Sequence, residues 1–437
     1  MNQLGFMSFL KDKPFYQLFS ISEFSKNVFV LITGSVIAQA IPLAISPILT
    51  RIYDPKDFGI LAVYIAAVHT IGVIATARYE FAIVLPKRDK DAVNILVLSL
   101  SISIVISFLS LIIIFLTEDW LSKILNNPSI KPWLYFMPAS ILFTGLNQSL
   151  NLWLTRKKKF KIQTSGNVSR SLSQVATQLS LSPIKNFNGG GLILAFIFSQ
   201  IVNFSFTGLY SLKEINQKLN FVSKRRIILN AKKYKDFPFL NSLQVFIDMI
   251  QSNGIIFIIT SFFNSVITGY FSLTLRIIKA PVQVVGSAIS HVLYQQATES
   301  YQQGKKLRPI IVNLIFKLVL LGTLIFIPIF FWGAEIFEIV FGKEWKSAGQ
   351  YASILSPWIF INFISNPIAT IPLILNKQKK VLTIATIGNT SALVGFFLTS
   401  YIGNEMTFSL KIYSIIMTTF HLYLIIWVLN MSNNKQS

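Results

Sequence analysis

The stretch TGYFSLTLRIIKAPVQVVGSAISHVLY, residues 268–294, combines the length of a membrane span with two cations near its middle. About 20 mostly apolar residues are enough to cross a bilayer as a helix. Arg276 and Lys279 nevertheless fall near the centre of this stretch, where a charge costs about 3 kcal/mol or more. Charges at that depth normally face a bundle interior or an aqueous cavity. The stretch therefore predicts a transmembrane helix whose charged face is turned toward other helices.

Polar and small residues recur along this stretch at spacings of three and four, which places them on one helical face. They are Ser272, Arg276, Lys279, Gln283, Gly286 and Ser290. The remaining faces carry Phe, Leu, Ile and Val. One alternative is that each cation snorkels to the membrane surface or pairs with an acid. Two cations one turn apart, with no acidic residue on their face, favour an anion-binding site instead.

Composition indicates a polytopic membrane protein. The chain has 437 residues, of which 53% are hydrophobic and 13% charged, and its mean hydropathy is +0.59. Because backbone groups in lipid must be satisfied within their own segment, the apolar runs are predicted to be helices. A net charge of +22 would suggest a nucleic-acid partner in a soluble chain, but most of it lies in short loops, so membrane topology explains it. With no cysteine and three scattered histidines, we expect neither disulfides nor a metal site.

The hydropathy pattern predicts twelve spans, at residues 24–49, 58–85, 92–116, 132–155, 162–184, 191–211, 237–262, 267–294, 309–331, 347–376, 381–402 and 407–430. Lysine and arginine concentrate in every second loop, on the same side as both termini. The positive-inside rule makes that side cytoplasmic. We therefore predict an all-α protein with both ends in the cytoplasm.

The longest loop divides the predicted spans into two sets of six. Weak internal similarity, which sets Gly59 on Gly269, indicates a repeat. Since each unit has an even number of spans, the repeats are parallel, an arrangement found in transporters that rock two halves around a central site. The predicted domains are an N-terminal six-helix bundle, a basic cytoplasmic linker and a C-terminal six-helix bundle, at residues 1–211, 212–236 and 237–437.

Span five is predicted to be amphipathic within the bilayer. One stripe of it carries Gln163, Asn167, Arg170, Gln174 and Thr177. Such a face requires water or other polar groups beside it. Its serines are explained by helix–helix hydrogen bonds, whereas an arginine flanked by two amides favours a cavity lining.

Two acidic residues fall inside predicted spans. Asp248 lies on the polar face of span seven near the middle of the membrane, and Glu80 lies in span two. Asp248 either binds a proton or Na⁺ or pairs with Arg276 or Lys279, and the pattern does not distinguish these roles. Both acidic residues are candidates for ion coupling.

The same span two also contains a histidine and an arginine. His69 shares a face with Glu80. The Gly59–Gly269 alignment sets His69 on Lys279, which suggests that His69 and Lys279 both lie near the axis that relates the two repeats. Arg78 is two residues from Glu80, so the two cannot meet on a regular helix, and we expect the Arg78 side chain to snorkel.

The runs YDPKDFG at 53–59 and RYEFAIVLP at 78–86 resemble the N-terminal part of bacterial polysaccharide-export proteins of the O-antigen flippase (Wzx-like) group, within the multidrug/oligosaccharidyl-lipid/polysaccharide (MOP) exporter superfamily. The resemblance implies two six-helix bundles forming a V around a central cavity. It also implies transport of a polyprenyl-diphosphate-linked sugar repeat unit from the cytoplasmic to the periplasmic leaflet of the bacterial inner membrane. In that family, cations lining the cavity are thought to engage the anionic head group, and an ion gradient often drives transport.

The hypothesis from the sequence is therefore a flippase, without catalytic residues or cofactors other than H⁺ or Na⁺ as coupling ion, working beside the polysaccharide polymerase and chain-length machinery. The predicted substrate-binding residues are Arg276, Lys279, Arg170, Gln283, Gln174, Asn167 and His69. A cation or drug antiporter of the same superfamily is an alternative, but it would need more carboxylates in its cavity. A polysaccharide polymerase or ligase is a second alternative, and it would usually carry catalytic groups on a large periplasmic loop. No GxxxxGK[ST] loop is present, so ATP is not the direct driver.

Overall fold

A computed structural model describes residues 23–183, 189–403 and 405–433, and within these ranges the chain forms helices and turns with no β-strand. Both termini lie outside the described residues, so their cytoplasmic location stays a prediction. Fourteen helices of ten or more residues are present in the described ranges: α1 (Glu23–Leu49), α2 (Pro55–Gly72), α3 (Asp89–Ile124), α4 (Met137–Arg156), α5 (Phe160–Leu181), α6 (Gly190–Asn216), α7 (Lys224–Lys233), α8 (Ser242–Phe262), α9 (Ser265–Ile278), α10 (Ala280–Gln302), α11 (Arg308–Phe341), α12 (Lys346–Ile368), α13 (Gln378–Gly403) and α14 (Met406–Met431).

Seven helical segments among the described residues are long and apolar enough to cross a membrane. They contain α3, α6, α8, α11, α12, α13 and α14. The other helices at predicted spans are shorter or more polar, and they include α5 with its polar stripe. The protein is thus an all-α polytopic membrane protein, as its sequence predicts.

Four predicted spans are interrupted rather than continuous. In span four, a turn separates the short helix Lys131–Leu134 from α4. The prediction of span two as a single helix was wrong. Helix α2 ends at Gly72, and a turn leads to a short 3₁₀ helix at Tyr79–Val84. Span eight is divided into α9 and α10 at Lys279, because Pro281 has no N–H to donate to the preceding turn, although Lys279 keeps helical angles of φ −82° and ψ −14°. Span ten continues after α12 as the short helix Ile371–Ile374.

The helices before the linker pack mainly on one another, as do those after it. Before the linker, α5 packs on α1 and α6, and α4 packs on α3 and α6. After it, α12 packs on α11 and α14, and α13 packs on α8 and α14. The two sets meet chiefly where α2 contacts α9 and α8. The exact bundle limits 1–211 and 237–437 stay a prediction.

The closest contact between the two sets is a crossing of α2 and α9 at two glycines. A Cβ atom on Gly59 would lie 1.8 Å from the carbonyl oxygen of Ser265, and one on Gly269 would lie 1.7 Å from that of Pro55. Only hydrogen fits at either position, so the two backbones touch. The internal alignment thus pairs two glycines that also meet in space. We call this contact the glycine crossing.

Candidate functional site

A cavity of about 500 Å³ lies between helices from both sides of the linker. Helices α1, α2 and α5 supply one wall, and α9 and α10 supply the other. Its lining residues are Ser35, Ala38, Gln39, Pro42, Leu43, Leu61, Ile65, Asn167, Arg170, Ser171, Gln174, Arg276 and Gln283. Five of the seven predicted substrate-binding residues are therefore brought together here. We call it the arginine cavity.

The α5 stripe reaches the cavity through Asn167, Arg170 and Gln174. They are spaced three and four residues apart, so they stand above one another on a single helical face. The Arg170 guanidinium carbon lies 6.0 Å from the centre of the Phe196 ring in α6, within range of a cation–π contact. That contact leaves its N–H donors available to a ligand.

Arg276 reaches across from α9 to α1. Its Nη2 donates a hydrogen bond to the carbonyl oxygen of Pro42, at 3.1 Å. A guanidinium has five N–H donors in a planar fork, so most of them are not used by this bond. No carboxylate of the described residues lies within 4.0 Å of Arg170 or Arg276. The cavity accordingly holds two cations without a protein counter-ion in the described part of the chain.

Helix α1 adds backbone oxygens that the sequence analysis did not single out. Pro42 and Pro47 lie inside α1, and a proline cannot donate to the carbonyl four residues earlier. Those carbonyls belong to Ala38 and Leu43, which both line the cavity. Ser35 and Gln39, also on the lining, were missed as site residues. Their spacing of four together with the two prolines is the signal that marks this face.

Lys279 points elsewhere, into a second cavity of about 360 Å³. Its Nζ lies 5.0 Å from the centre of the Trp358 ring. The lining residues of this lysine cavity are Asp248, Gln251, Ser252, Ile255, Lys279, Trp358, Leu382, Ala385, Thr386, Asn389, Leu393, Tyr413 and Met417. All of them follow the linker in the chain. The structure therefore separates Lys279 from the arginines with which its spacing had grouped it.

Helical geometry explains this separation. Successive residues turn by about 100°, since a turn holds 3.6 residues. Gln283 is seven residues from Arg276 and so returns to within about 20° of it, whereas Lys279 is three residues away and lies about 60° round the axis. A long side chain with that offset reaches the neighbouring space beside Trp358. Residues three apart therefore do not have to line the same cavity, and Arg276 and Lys279 do not.

Asp248 from α8 lines the same cavity as Lys279. Within the described residues, the carboxylate and the ammonium form no ion pair at 4.0 Å or less. They nevertheless share one polar space with the amide of Asn389 and the hydroxyl of Thr386. The lysine cavity thus contains one group of each charge.

His69 lies beside the arginine cavity and is not among its lining residues. Its side chain is exposed, and its ring centre is 6.3 Å from that of Phe196, the same ring that Arg170 faces. Lys279 faces Trp358 in the other set of helices. The structure therefore does not bring His69 and Lys279 together at a common axis.

Glu80 is buried outside both cavities. Its carboxylate accepts a hydrogen bond from the Thr76 hydroxyl, and its Oε1 lies 3.6 Å from Nη1 of Arg78. The expectations that Arg78 and Glu80 cannot meet and that Arg78 snorkels were wrong. The reason is that Ala77 and Arg78 take positive φ angles of 47° and 60°, so the backbone turns here instead of continuing as a regular helix.

Known proteins resemble this chain in sequence family and in fold. Residues 48–350 match the family model described as "Polysaccharide biosynthesis protein". Comparison with curated proteins gives no significant match. A solved structure of the lipid II flippase MurJ in an inward closed conformation is 14% identical, with a TM-score of 0.67, and the match covers 89% of this chain and 87% of that one.

Two further solved structures share the fold at similarly low identity. An inward-facing multidrug resistance MATE family transporter of the MOP superfamily is 13% identical, with a TM-score of 0.63 and coverage of 92% and 94%. A MOP superfamily transporter from Pyrococcus furiosus is 15% identical, with a TM-score of 0.56 and coverage of 93% and 94%. Since the family model spans more than half of the chain and the shared fold extends over nearly all of it, the protein belongs to the polysaccharide biosynthesis protein family and has the fold of the MOP superfamily.

Proposed function

We propose that the protein is a flippase that moves polyprenyl-diphosphate-linked oligosaccharide repeat units from the cytoplasmic to the periplasmic leaflet of the bacterial inner membrane. The observation that carries this proposal is the arginine cavity, where Arg170 and Arg276 face a shared space without a carboxylate from the described residues. Membership of a polysaccharide biosynthesis family supports a glycan-bearing substrate.

The chemistry of the cavity fits a diphosphate head group. A planar guanidinium can bind phosphate oxygens through two parallel hydrogen bonds. Two such groups without a counter-ion attract an anion strongly, because charges interact more strongly in a partly desolvated space than in water. The diphosphate of the substrate would therefore act as the counter-ion of the two guanidinium groups.

The remaining lining suits sugar hydroxyls. Amides at Asn167, Gln174 and Gln283 offer donors and acceptors, and the carbonyls of Ala38 and Leu43, to which the α1 prolines cannot donate, offer further acceptors. At about 500 Å³, the cavity falls within the range of roughly 300–1,000 Å³ of typical ligand sites. That volume accommodates a diphosphate with its first sugar, while the polyprenyl tail remains in lipid and the distal glycan extends out of the cavity.

The glycine crossing indicates how access would alternate. The cavity-lining residue Leu61 follows Gly59 by two residues, and Arg276 follows Gly269 by seven, so the crossing lies next to one end of the cavity and would close it there. The predicted topology makes that end periplasmic. At the two glycines, α2 and α9 have no interdigitated side chains, so the helices can separate there without side-chain rearrangement. Separation of α2 from α9 would then open the cavity to the periplasm.

The lysine cavity is the proposed site of ion coupling, by H⁺ or Na⁺. Of the residues lining the two cavities, Asp248 is the acidic one. Glu80 is already engaged by Thr76 and Arg78, so it has a structural role in this conformation. Cooperation with a polymerase and chain-length machinery follows from the family alone and is part of the same proposal.

A cation or drug antiporter would require negative charge where substrate binds. Among the described residues, the lining of the arginine cavity instead carries two cations and no acidic group. The charge of this cavity therefore favours an anionic substrate.

The test is binding of a polyprenyl diphosphate to the purified protein in nanodiscs. Replacing Arg170 and Arg276 together by Gln should weaken binding at least tenfold, because each charge-assisted hydrogen bond contributes about 1.5–3 kcal/mol and about 1.4 kcal/mol is tenfold in affinity. Arg88→Gln is the matched control, since Arg88 is exposed and lies outside both cavities. Unchanged affinity in the double variant, together with normal surface polysaccharide in cells, would refute the proposal.

A further inference from the structure

The linker contains one helix, α7, whose two faces differ in character. Residues on one face are exposed at spacings of one, four and five, which form a single stripe. They are Lys224, Arg225, Ile228, Leu229, Lys232 and Lys233. The stripe has two cations at each end and two apolar residues in the middle, where Ile228 is 45% and Leu229 57% exposed. We call it the linker face. Helix α7 contains no acidic residue.

The opposite face of α7 is fixed to the helices that precede the linker. The hydroxyl of Tyr79 donates to the carbonyl oxygen of Ala231 at 2.9 Å. Asn94 ties down the segment before α7, because its amide donates to the carbonyl of Phe221 at 3.0 Å and its oxygen accepts from the N–H of Ser223 at 3.0 Å. These hydrogen bonds mean that the exposure of the linker face does not result from a loosely attached helix.

The position of α7 in the chain keeps it next to the membrane. It follows α6, which ends at Asn216, and precedes the spanning segment Phe237–Phe262. An extended residue covers at most about 3.6 Å, so neither short connection lets α7 move far from the bilayer. Phe239 and Leu240, at the start of that segment, are 73% and 69% exposed, as expected for residues in contact with lipid.

We propose that the linker face binds anionic phospholipid head groups of the leaflet next to it. Each cation near an anionic membrane surface is attracted to it, and the linker face presents four of them. Ile228 and Leu229 lie between the cation pairs, where they would enter the boundary between head groups and acyl chains, as in other amphipathic interfacial helices. This binding is independent of what the protein transports.

A membrane surface fits the linker face better than a protein partner does. A stable protein–protein interface buries roughly 800 Å² on each partner around an apolar core, whereas the linker face has two apolar residues flanked by charge. A leaflet offers phosphates at both ends of the helix and hydrocarbon below its middle. The complementarity of charge and the adjacent spans therefore favour lipid.

Lipid binding here would act on the connection between the two sets of helices. Tyr79 holds α7, and its neighbour Arg78 donates through Nε to Oδ1 of Asn241, at 2.9 Å, at the entry to α8. An anchored α7 would therefore hold both the turn after α2 and the start of α8 at the same membrane surface. Anionic lipid would in this way position the linker.

The absence of cysteine from the sequence gives a direct test. A nitroxide attached to Leu229→Cys in the full-length protein should become more accessible to oxygen than to a water-soluble nickel complex in nanodiscs containing phosphatidylglycerol. In nanodiscs of phosphatidylcholine alone, the ratio of the two accessibilities should be lower, by about twofold or more. Inorganic phosphate added to the phosphatidylcholine sample should not restore it.

Charge variants complete the test. Replacing Lys224, Arg225, Lys232 and Lys233 together by Gln should abolish the difference between the two lipids. The matched control removes four exposed cations from other loops on the same predicted side, through Gln at Lys87, Arg88, Lys158 and Lys161, and should retain the difference. The proposal is overturned if the label stays equally aqueous in both lipids, if the four-Gln variant keeps the difference, or if free phosphate reproduces it.

Discussion

The arginine cavity and the lysine cavity differ in charge balance, although one helical stretch supplies a cation to each. The first lies between helices from both sides of the linker and holds two guanidinium groups, with no acidic residue on its lining in the part of the chain that the structure describes. The second is lined by residues after the linker and contains one ammonium and one carboxylate. A balanced cavity needs no further ion for stability. An unbalanced one indicates a missing anion, which is why we assign substrate to the first cavity and coupling to the second.

Reversing the charge of the arginine cavity should have the largest effect. With Arg170→Glu and Arg276→Glu combined, repulsion of the diphosphate should reduce surface polysaccharide by roughly 100-fold or more, because like charges in a desolvated site cost several kcal/mol. The measurement is polymer at the cell surface, normalised to the amount of protein in the membrane. Arg170→Lys with Arg276→Lys is the control and should keep part of the activity. Near-normal export by the Glu variant would contradict the assignment of substrate to the arginine cavity.

Neutralising the lysine cavity should affect rate rather than binding. Asp248→Asn removes the carboxylate without changing its size, so translocation should slow by about tenfold if Asp248 carries the coupling ion. Affinity for a polyprenyl diphosphate should stay within about twofold, since the arginines are untouched. Asp236→Asn in the linker serves as the matched control. A loss of affinity as large as that of the arginine variants would show that both cavities bind substrate.

The glycine crossing joins the two sets of helices near the arginine cavity, and a methyl group there should be costly. Gly59→Ala forces a Cβ atom to 1.8 Å from the Ser265 carbonyl oxygen, and such overpacking costs about 1–3 kcal/mol. We expect a lower unfolding temperature in detergent and an altered balance between open and closed cavity ends. Gly208→Ala is the control, because its Cβ would meet only Leu150 at 3.8 Å. Equal effects of the two changes would argue against a close crossing.

A double-mutant cycle should give the smallest signal. Lys279→Gln and Asp248→Asn share a cavity, so their effects on the free energy of unfolding should be non-additive by about 0.5–3 kcal/mol. Lys279→Gln combined with Arg170→Gln should be additive to within about 0.5 kcal/mol, since the two cations occupy different cavities. Additivity of the first pair, or coupling of the second, would contradict the assignment of Lys279 to the lysine cavity.

Much of the candidate site was predictable from residue spacing. Asn167, Arg170 and Gln174 share a face at any reasonable helical geometry, and Arg276 and Gln283, seven residues apart, share another. Lys279 was misplaced because an offset of about 60° decides the cavity that a side chain enters only when the neighbouring helices are known. The turn at Ala77 and Arg78 was missed because hydropathy does not report backbone conformation. The oxygens of Ala38 and Leu43 were missed because every residue has a backbone carbonyl, so residue type does not indicate which carbonyl belongs to a site.

The sequence alone is enough to identify an all-α membrane protein with cations at membrane depth, because hydrophobic length and helical period are local properties of the chain. Its short motifs also pointed to polysaccharide biosynthesis, in agreement with the family that the chain matches. The packed arrangement of the helices was needed to see which charges share a cavity, which of them lack a counter-ion among the described residues, and that Gly59 meets Gly269. Those outcomes depend on how helices distant in sequence rotate and cross, and packing between them sets that geometry.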